Sequence, residues 1–363
     1  MRRGGVFKTV SAAIDVAPTD PSNNKVEVND NYYTINNTNY TFVKDYDYDF
    51  IYVYGGYSEN ENVTNNTIIF NNGIFAFNGT LYGGYSIYGN LSDNTVNIYG
   101  GSFRGVYGGY TGYSLNNLYV GDAKNNTVNI YGGTFGAGGG YSDIYGGYGN
   151  NAINNVVNVY GGTTEYLAWN VYGGEAANGN AENNTVNVMG GENLLVDGAT
   201  SWLGNVRNNV VNVNGNMSGS VCGGRSYHYG DDGNGSIVTN NAVKVNNGTL
   251  SYVYGGEAGT NDVIANVVDI YGGTIDRVSG GYTDRTGNVT GNVVNIYGGT
   301  VNEYLHGGSS RYGNVNNNTV NIHDGIISGF IVGGESSWYN EDIHSSVANN
   351  TVNIYGGTIS ASI

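Results

Sequence analysis

The chain has 363 residues, of which 62 are glycine, 34 are tyrosine and only 2 are proline, and its formal net charge is −16. This charge argues against nucleic acid and anionic membranes as partners, because few cations are available to neutralise phosphates. Disorder is also disfavoured, since 13% of the residues are aromatic and valine and isoleucine recur at fixed positions. No apolar run approaches the roughly 18 residues of a membrane span.

The N-terminal segment predicts a capping helix. Phe7, Val10, Ile14 and Ala17 fall at helical spacing, and Pro18 follows them. We therefore expect an amphipathic helix over residues 7–17 that closes the open end of the fold.

The chain as a whole divides into two predicted parts. Residues 1–30 are expected to hold the cap helix and a first strand that begins at Lys25, and residues 31–363 the repeats, with an irregular first coil or two at 31–60. The last repeat stops partway, which predicts truncation at the C-terminus, with any export signal or anchor outside this sequence.

A segment of the form Asn-Asn-Thr-Val-Asn-Ile-Tyr-Gly-Gly recurs eleven times at intervals of 25 to 32 residues. Such intervals are too short for propeller blades and suit the coils of a β-solenoid. The central apolar residue, called the anchor below, is Ile68, Val96, Val128, Val157, Val186, Val211, Val243, Val268, Val294, Val320 or Val352.

An asparagine lies two positions before every anchor. Asparagine tolerates left-handed backbone, and stacked asparagine side chains can form a ladder, so these residues are predicted to form the corners of the coils. They are Asn66, Asn94, Asn126, Asn155, Asn184, Asn209, Asn241, Asn266, Asn292, Asn318 and Asn350.

The alternation within Thr-Val-Asn-Ile-Tyr has period 2, so valine and isoleucine point inward and the other residues outward. Together with the glycine pairs, it predicts about three short strands per coil. We therefore expect an all-β, single-stranded parallel β-helix of about 11–13 coils, stacked about 4.8 Å apart.

Two stretches resemble known families. Residues 7–15, Phe-Lys-Thr-Val-Ser-Ala-Ala-Ile-Asp, resemble the capping helix of pectate-lyase-like β-helix proteins. The repeats are similar to those in passenger regions of bacterial autotransporters and related surface adhesins. The resemblance implies a right-handed parallel β-helix, secretion and cell adhesion.

Three long loops, over residues 110–122, 225–237 and 335–346, fall at one corner of the coils, where solenoids often bind ligands. Their aromatic and histidine side chains, above all Tyr227, His228, Trp338 and Tyr339, are candidate ligand-binding residues. The alternative is that these loops vary freely because loop length costs little.

Two tyrosine columns are the second candidate, because exposed rings could stack on sugars; the favoured alternative is that they stabilise neighbouring coils. Both columns are expected to face outward, and Cys222 falls in the second one as an exposed thiol. The columns are Tyr99, Tyr131, Tyr160, Tyr271, Tyr297 and Tyr355, and Tyr54, Tyr82, Tyr107, Tyr145, Tyr172 and Tyr254.

Catalytic signals are weak. Polysaccharide-degrading enzymes need paired carboxylates or a bound cation. The best cluster is Asp276, Arg277, Glu303 and His306, which is expected to be an exposed ion pair of Arg277 with Glu303 rather than a catalytic site. Lys244 and Asp269 are expected to form another exposed ion pair of little energetic value. No metal or cofactor is expected.

The sequence thus favours a non-enzymatic protein of the bacterial surface or extracellular space. Its solenoid would display loops and tyrosine and asparagine ladders to host or biofilm glycans or to protein receptors. The alternative is a polysaccharide lyase or glycoside hydrolase on the same fold. An ice-binding array is ranked last, because threonine precedes the anchor in only six coils.

Overall fold

A computed structural model describes residues 21–29, 32–35, 38–41, 51–72, 79–112, 119–135, 142–164, 169–228, 235–336 and 345–360. These residues form an all-β parallel β-solenoid of about ten turns, slightly fewer than the sequence predicts, and no helix occurs among them. The predicted cap helix at residues 7–17 lies outside the described residues.

The chain divides into two compact units, here called the N-terminal unit (Met1–Glu175 with Gly191–Asn193) and the C-terminal unit (Ala176–Gly190 with Leu194–Ile363). The first strands are β1 Lys25–Asn29, β2 Tyr32–Ile35, β3 Thr38–Thr41, β4 Ile51–Ser58, β5 Val63–Thr64, β6 Thr67–Asn72, β7 Gly79–Ser86, β8 Leu91–Ser92, β9 Thr95–Ile98, β10 Ser102–Phe103, β11 Gly105–Thr111, β12 Ala123–Lys124, β13 Thr127–Ile130, β14 Thr134–Phe135, β15 Ser142–Gly149, β16 Ala152–Ile153, β17 Val156–Val159, β18 Thr163–Thr164 and β19 Trp169–Ala176.

The later strands follow the same order of short and long elements. They are β20 Ala181–Glu182, β21 Thr185–Asp197, β22 Thr200–Ser201, β23 Val206–Arg207, β24 Val210–Cys222, β25 Arg225–Ser226, β26 Ile237–Thr239, β27 Ala242–Val245, β28 Thr249–Ala258, β29 Asp262–Ile264, β30 Val267–Ile270, β31 Thr274–Thr283, β32 Val289–Thr290, β33 Val293–Ile296, β34 Thr300–His306, β35 Ser309–Ser310, β36 Val315–Asn316, β37 Thr319–Ile322, β38 Ile326–Ile327, β39 Phe330–Val332, β40 Glu335–Ser336, β41 Val347–Ala348, β42 Thr351–Ile354 and β43 Thr358–Ile359.

Each unit stacks three kinds of strand in parallel register. In the N-terminal unit, the anchor strands are β6, β9, β13 and β17, the glycine-pair strands are β4, β7, β11 and β15, and the corner strands are β5, β8, β12 and β16. The C-terminal unit repeats this scheme, with β27, β30, β33, β37 and β42 among its anchor strands. Anchor pairs with anchor throughout, as the columns predict.

The start of the described chain departs from the repeat. Strand β1 pairs in parallel with β6 but antiparallel with β2, and β2 pairs antiparallel with β3. An antiparallel meander therefore stands here, where the sequence suggested an irregular coil. Hairpin pairing needs only short connections, so it can form outside the repeat period.

The core consists of the inward rows on the anchor strands and a set of aromatic rings. In the N-terminal unit, Phe103 and Phe135 meet edge to face with ring centroids 4.5 Å apart. The Phe135 ring stacks on Trp169 at 3.8 Å, and all three side chains are fully buried. Because buried apolar area is the main driving force for folding, coils gain stability only when stacked.

The left-handed corner residue lies one position earlier than the sequence analysis placed it. Asn125 has φ +55° and Asn154 has φ +56°, whereas the following asparagines, Asn126 and Asn155, are not among the residues with positive φ. This part of the prediction was wrong: a polar residue, glycine or Ala265 takes the left-handed turn, and the invariant asparagine turns its side chain inward.

The glycine pairs make room for that inward side chain. A Cβ atom added to Gly109 would lie 2.8 Å from Nδ2 of Asn126, and one added to Gly281 would lie 2.7 Å from Nδ2 of Asn292. Real Cβ atoms do not approach so closely, so a side chain added at either position would displace the asparagine amide. The glycine column and the asparagine column are thus two sides of one packing arrangement.

Candidate functional site

The invariant asparagines form a buried ladder in each unit. In the N-terminal unit, Nδ2 of Asn94 donates to Oδ1 of Asn126 at 3.0 Å, and Nδ2 of Asn126 donates to Oδ1 of Asn155 at 3.0 Å. The second hydrogen of each Nδ2 bonds a carbonyl of the preceding coil, as Asn126 does with Leu91 at 3.3 Å.

The C-terminal unit continues the same pattern. Its side-chain bonds are 2.9 to 3.0 Å long, and they join Asn184, Asn209, Asn241, Asn266, Asn292, Asn318 and Asn350 in that order. Every amide inside the ladder is used by the protein itself. These residues are therefore structural and offer no polar atoms to a ligand.

The first tyrosine column forms exposed stacks. In the N-terminal unit, the rings of Tyr99 and Tyr131 lie 4.7 Å apart, and those of Tyr131 and Tyr160 lie 4.8 Å apart. In the C-terminal unit, Tyr271, Tyr297, His323 and Tyr355 stack in the same way. Stacking covers both faces of each inner ring, so these ladders present ring edges and hydroxyl groups, not faces, to solvent.

The second tyrosine column is shielded, in contrast to the expectation that it faces outward. Tyr82, Tyr107 and Tyr145 stack at 5.1 and 5.0 Å, and a parallel row of Tyr85, Tyr110 and Tyr148 packs edge-on against them. Burial, followed by neighbouring phenols, raises the pKa of Tyr85 to about 12. The residue three positions further along the same strand supplies the covering ring, and the sequence analysis missed it.

Cys222 is also buried, and the prediction of an exposed thiol was wrong. Its position opposite Tyr254 is as expected, but the column lies beneath the surface. The thiol donates to the carbonyl of Gly224 at 3.2 Å, and burial raises its pKa well above the ordinary value. A buried neutral thiol is a poor nucleophile.

Beside Cys222 lies an ionic cluster that the sequence analysis missed. Arg225 contacts Asp197 with two nitrogens, at 3.1 and 3.3 Å, and Glu257 with a third at 3.1 Å. Burial raises the pKa of both carboxyl groups, against the attraction of Arg225. The alignment of Arg225 with Glu257 in adjacent coils was the signal that could have revealed it.

The expected ion pair of Arg277 with Glu303 is confirmed, and both side chains are exposed. Nε of Arg277 lies 2.6 Å from Glu303, and its guanidinium lies over the rings of Tyr252 and Tyr304. His306 instead faces Glu335 at 3.6 Å. Asp276 accepts a bond from Asn302 at 3.0 Å.

The Lys244 and Asp269 side chains make different contacts from those expected. They lie in register on adjacent coils. The ammonium group of Lys244, however, lies 4.9 Å from the centre of the Tyr271 ring. Asp269 accepts a hydrogen bond from Asn295 at 2.8 Å.

Of the four candidate ligand-binding residues, two are described. Tyr227 and His228 lie at the corner after β25, while Trp338 and Tyr339 lie outside the described residues. The Tyr227 ring lies 5.1 Å from that of Trp202 on the preceding coil, tilted by 37°. Trp202 is 48% exposed and the adjacent Leu203 is 51% exposed. We call Trp202, Leu203, Tyr227 and His228 the aromatic corner.

The aromatic corner differs from the tyrosine ladders in its neighbours. The backbone bonds from Trp202 to Ala176 and from Gly259 to Ser226 put Ala177 and Gly259 at the matching positions of the flanking coils. Along this column of the solenoid, the Trp202–Tyr227 ring pair is therefore flanked by two small residues. Both backbone and hydroxyl of Thr260 donate to the carbonyl of His228 at 3.1 Å, which fixes the corner.

A comparison with protein families, curated proteins and solved structures finds no match for this chain. In the part of the chain that the structure describes, no helix has the length and apolar character needed to cross a bilayer.

Proposed function

We propose that the chain is a structural and adhesive protein of the bacterial surface or extracellular space, which holds a glycan-binding aromatic corner on a β-solenoid. The observation that carries this proposal is the pairing of the Tyr227 ring with Trp202, which is 48% exposed. The apolar C–H face of a sugar ring packs on exposed aromatic surface, and indole and phenol groups supply large contact area together with a polar atom.

We also propose that the chain is related to autotransporter passenger regions. The resemblance of the repeats to autotransporter passenger regions supports secretion and display at the cell surface. The resemblance of residues 7–15 to the pectate-lyase-like cap supports a right-handed winding. The net charge of −16 supports solubility of such a chain and repulsion from anionic surfaces. Binding without turnover fits the side chains of the Arg277 cluster, which are engaged with one another.

Glycan-array binding of the full chain tests the proposal. Trp202→Ala should abolish the signal of any bound glycan, because it removes the larger ring of the pair. The matched control is Tyr99→Ala, which removes an exposed ring from a ladder in the N-terminal unit and should leave binding unchanged.

A reducing-sugar assay on each bound glycan separates adhesion from catalysis. The proposal expects no product. Release of product that disappears in Glu303→Ala would favour the polysaccharide-degrading alternative over adhesion. On the glycan array, equal loss of binding in Trp202→Ala and Tyr99→Ala would show that the aromatic corner is not the binding site.

A further inference from the structure

The exposed tyrosine ladders combine close spacing with free ring edges. Planes of neighbouring rings deviate by only 6° and 2° along Tyr99, Tyr131 and Tyr160, at centroid distances of 4.7 and 4.8 Å. In the C-terminal unit, Tyr271 and Tyr297 lie 4.8 Å apart with planes 15° from parallel. Corresponding atoms of two such rings, including the carbons beside the hydroxyl group, are separated by nearly the centroid distance.

This arrangement suits one particular chemistry of phenols. Removal of one electron and one proton from a tyrosine leaves a radical whose unpaired electron is shared by the oxygen and the ring carbons beside it. Two such radicals couple through those carbons. A neighbour held within a few ångströms acts at a very high effective concentration, so coupling inside a ladder outruns encounters between molecules.

We propose that the exposed ladders are oxidative cross-linking sites, at which a haem peroxidase with peroxide joins tyrosines of adjacent coils as dityrosine. Each phenol gives up one hydrogen atom, and the two radicals form a carbon–carbon bond. The two ring hydrogens then move to the oxygens, which restores both phenols. The peroxide O–O bond breaks and takes the two electrons and two protons, giving two water molecules.

Exposure selects these ladders over the shielded column. Tyr131 is 43% exposed, whereas Tyr145 in the shielded column is 9% exposed. A shielded phenol has less water nearby to accept its proton and less room to turn its ring. An exposed ring reorients on the nanosecond scale, which allows neighbouring ring carbons to meet.

The cross-link has a structural consequence. Joining Tyr99 to Tyr131 closes a covalent loop around one coil, so the unfolded chain loses conformational freedom while the folded register is kept. Oxidation should therefore raise the unfolding temperature of the chain. This inference stands independently of the proposed glycan binding.

The experiment treats the full chain at high dilution with horseradish-type haem peroxidase and hydrogen peroxide, and measures dityrosine fluorescence. The double variant Tyr131→Phe with Tyr297→Phe keeps the stacked rings but removes a phenol from every tyrosine–tyrosine contact of the two ladders. Most of the dityrosine should be lost. The matched control, Tyr107→Phe with Tyr254→Phe in the shielded column, should give the wild-type yield.

Peptide mapping identifies the linked residues. We expect Tyr99–Tyr131 and Tyr131–Tyr160 cross-links in a monomeric product whose yield does not depend on protein concentration. Equal yields from the two double variants, no dityrosine in the wild type, or cross-links that form only between molecules would each overturn the proposal.

Discussion

The side-chain oxygen of Asn155 accepts two hydrogen bonds from Asn126, one from its backbone amide and one from its side-chain amide, each 3.0 Å long. The same pair of hydrogen bonds to one side-chain oxygen recurs along both ladders. The second hydrogen of the side-chain amide bonds a carbonyl of the preceding coil. Because buried polar groups are costly unless paired, this arrangement fixes the register of each coil against the next.

Asn126→Ala tests the strength of the ladder. It leaves the buried backbone amide of Asn94 and the carbonyl of Leu91 without their partners. At about 1–3 kcal/mol per unpaired buried group, the N-terminal unit should lose about 3 kcal/mol or more of stability.

The matched control is Asn129→Ala, from the half-buried ladder on the outer face of the same coil. Asn129 bonds Asn97 and Asn158 at 2.8 Å, but water can replace these bonds, so the loss should be about 1 kcal/mol or less. Native-state hydrogen exchange is the suitable measurement, since repeat arrays do not unfold in two states. Similar effects of both substitutions would contradict the ladder's structural role.

Much of this fold can be predicted from the sequence, because aligning the repeats with one another shows which positions are regularly apolar, asparagine or glycine. The anchor rows, the period of 2 and the pairing of Val128 with Val157 follow directly from the columns. The left-handed residue was misplaced by one position because Asn-Asn offers two candidates with the same propensity. Only the ladder, which depends on neighbouring coils, decides between them.

The candidate site was less predictable. Cys222 and the Tyr107 column alternate as an outward row should, yet a second layer of side chains covers them. The partnership of Trp202 with Tyr227 depends on how two loops of different length align at one corner. Such covering and alignment arise from tertiary structure and leave no period in the sequence.

Ala265 is a strained corner. It has φ +56°, where asparagine or glycine stands in the neighbouring coils. A left-handed alanine costs about 1–2 kcal/mol, and asparagine costs less. Ala265→Asn should therefore stabilise the C-terminal unit by about 0.5–1 kcal/mol, measured by native-state hydrogen exchange.

The reciprocal substitution provides its control. Asn240→Ala, at φ +54° in the preceding coil, should destabilise the same unit by a similar amount. If Ala265→Asn destabilises and Asn240→Ala has no effect, backbone strain at this corner is not the deciding factor.

The buried ionic cluster predicts an unusual pH dependence. The pKa of Glu257 is raised from 4.5, chiefly by burial, so the folded unit binds a proton more readily than the unfolded chain. The stability that protonated Glu257 contributes is fully present below pH 4.5 and is lost as the pH rises through the raised pKa. Asp197 acts in the same direction.

Glu257→Gln checks this directly. The variant lacks the ionisable group, so its unfolding temperature should exceed that of the wild type at neutral pH and the difference should shrink on acidification. A constant difference across the pH range would show that Glu257 keeps its ordinary pKa in the folded protein.

Cys222 should be unreactive in the folded protein. Its thiol is buried and its pKa is raised by burial, so a disulfide reagent should modify it only after denaturation. Asn216→Cys places a second thiol at an exposed position of the same strand and should react at once in the native state. Rapid reaction of native wild-type protein would contradict the buried position of Cys222.

Register between coils can be measured directly with paired cysteines. Asn129 lies opposite Asn158 on the next coil and opposite Asn97 on the coil before. Cysteines at 129 and 158 should form a disulfide under mild oxidation, since adjacent strands lie about 4.8 Å apart. Cysteines at 97 and 158, two coils apart, should not. Efficient linkage of the second pair, or failure of the first, would contradict the stacking of one coil per repeat.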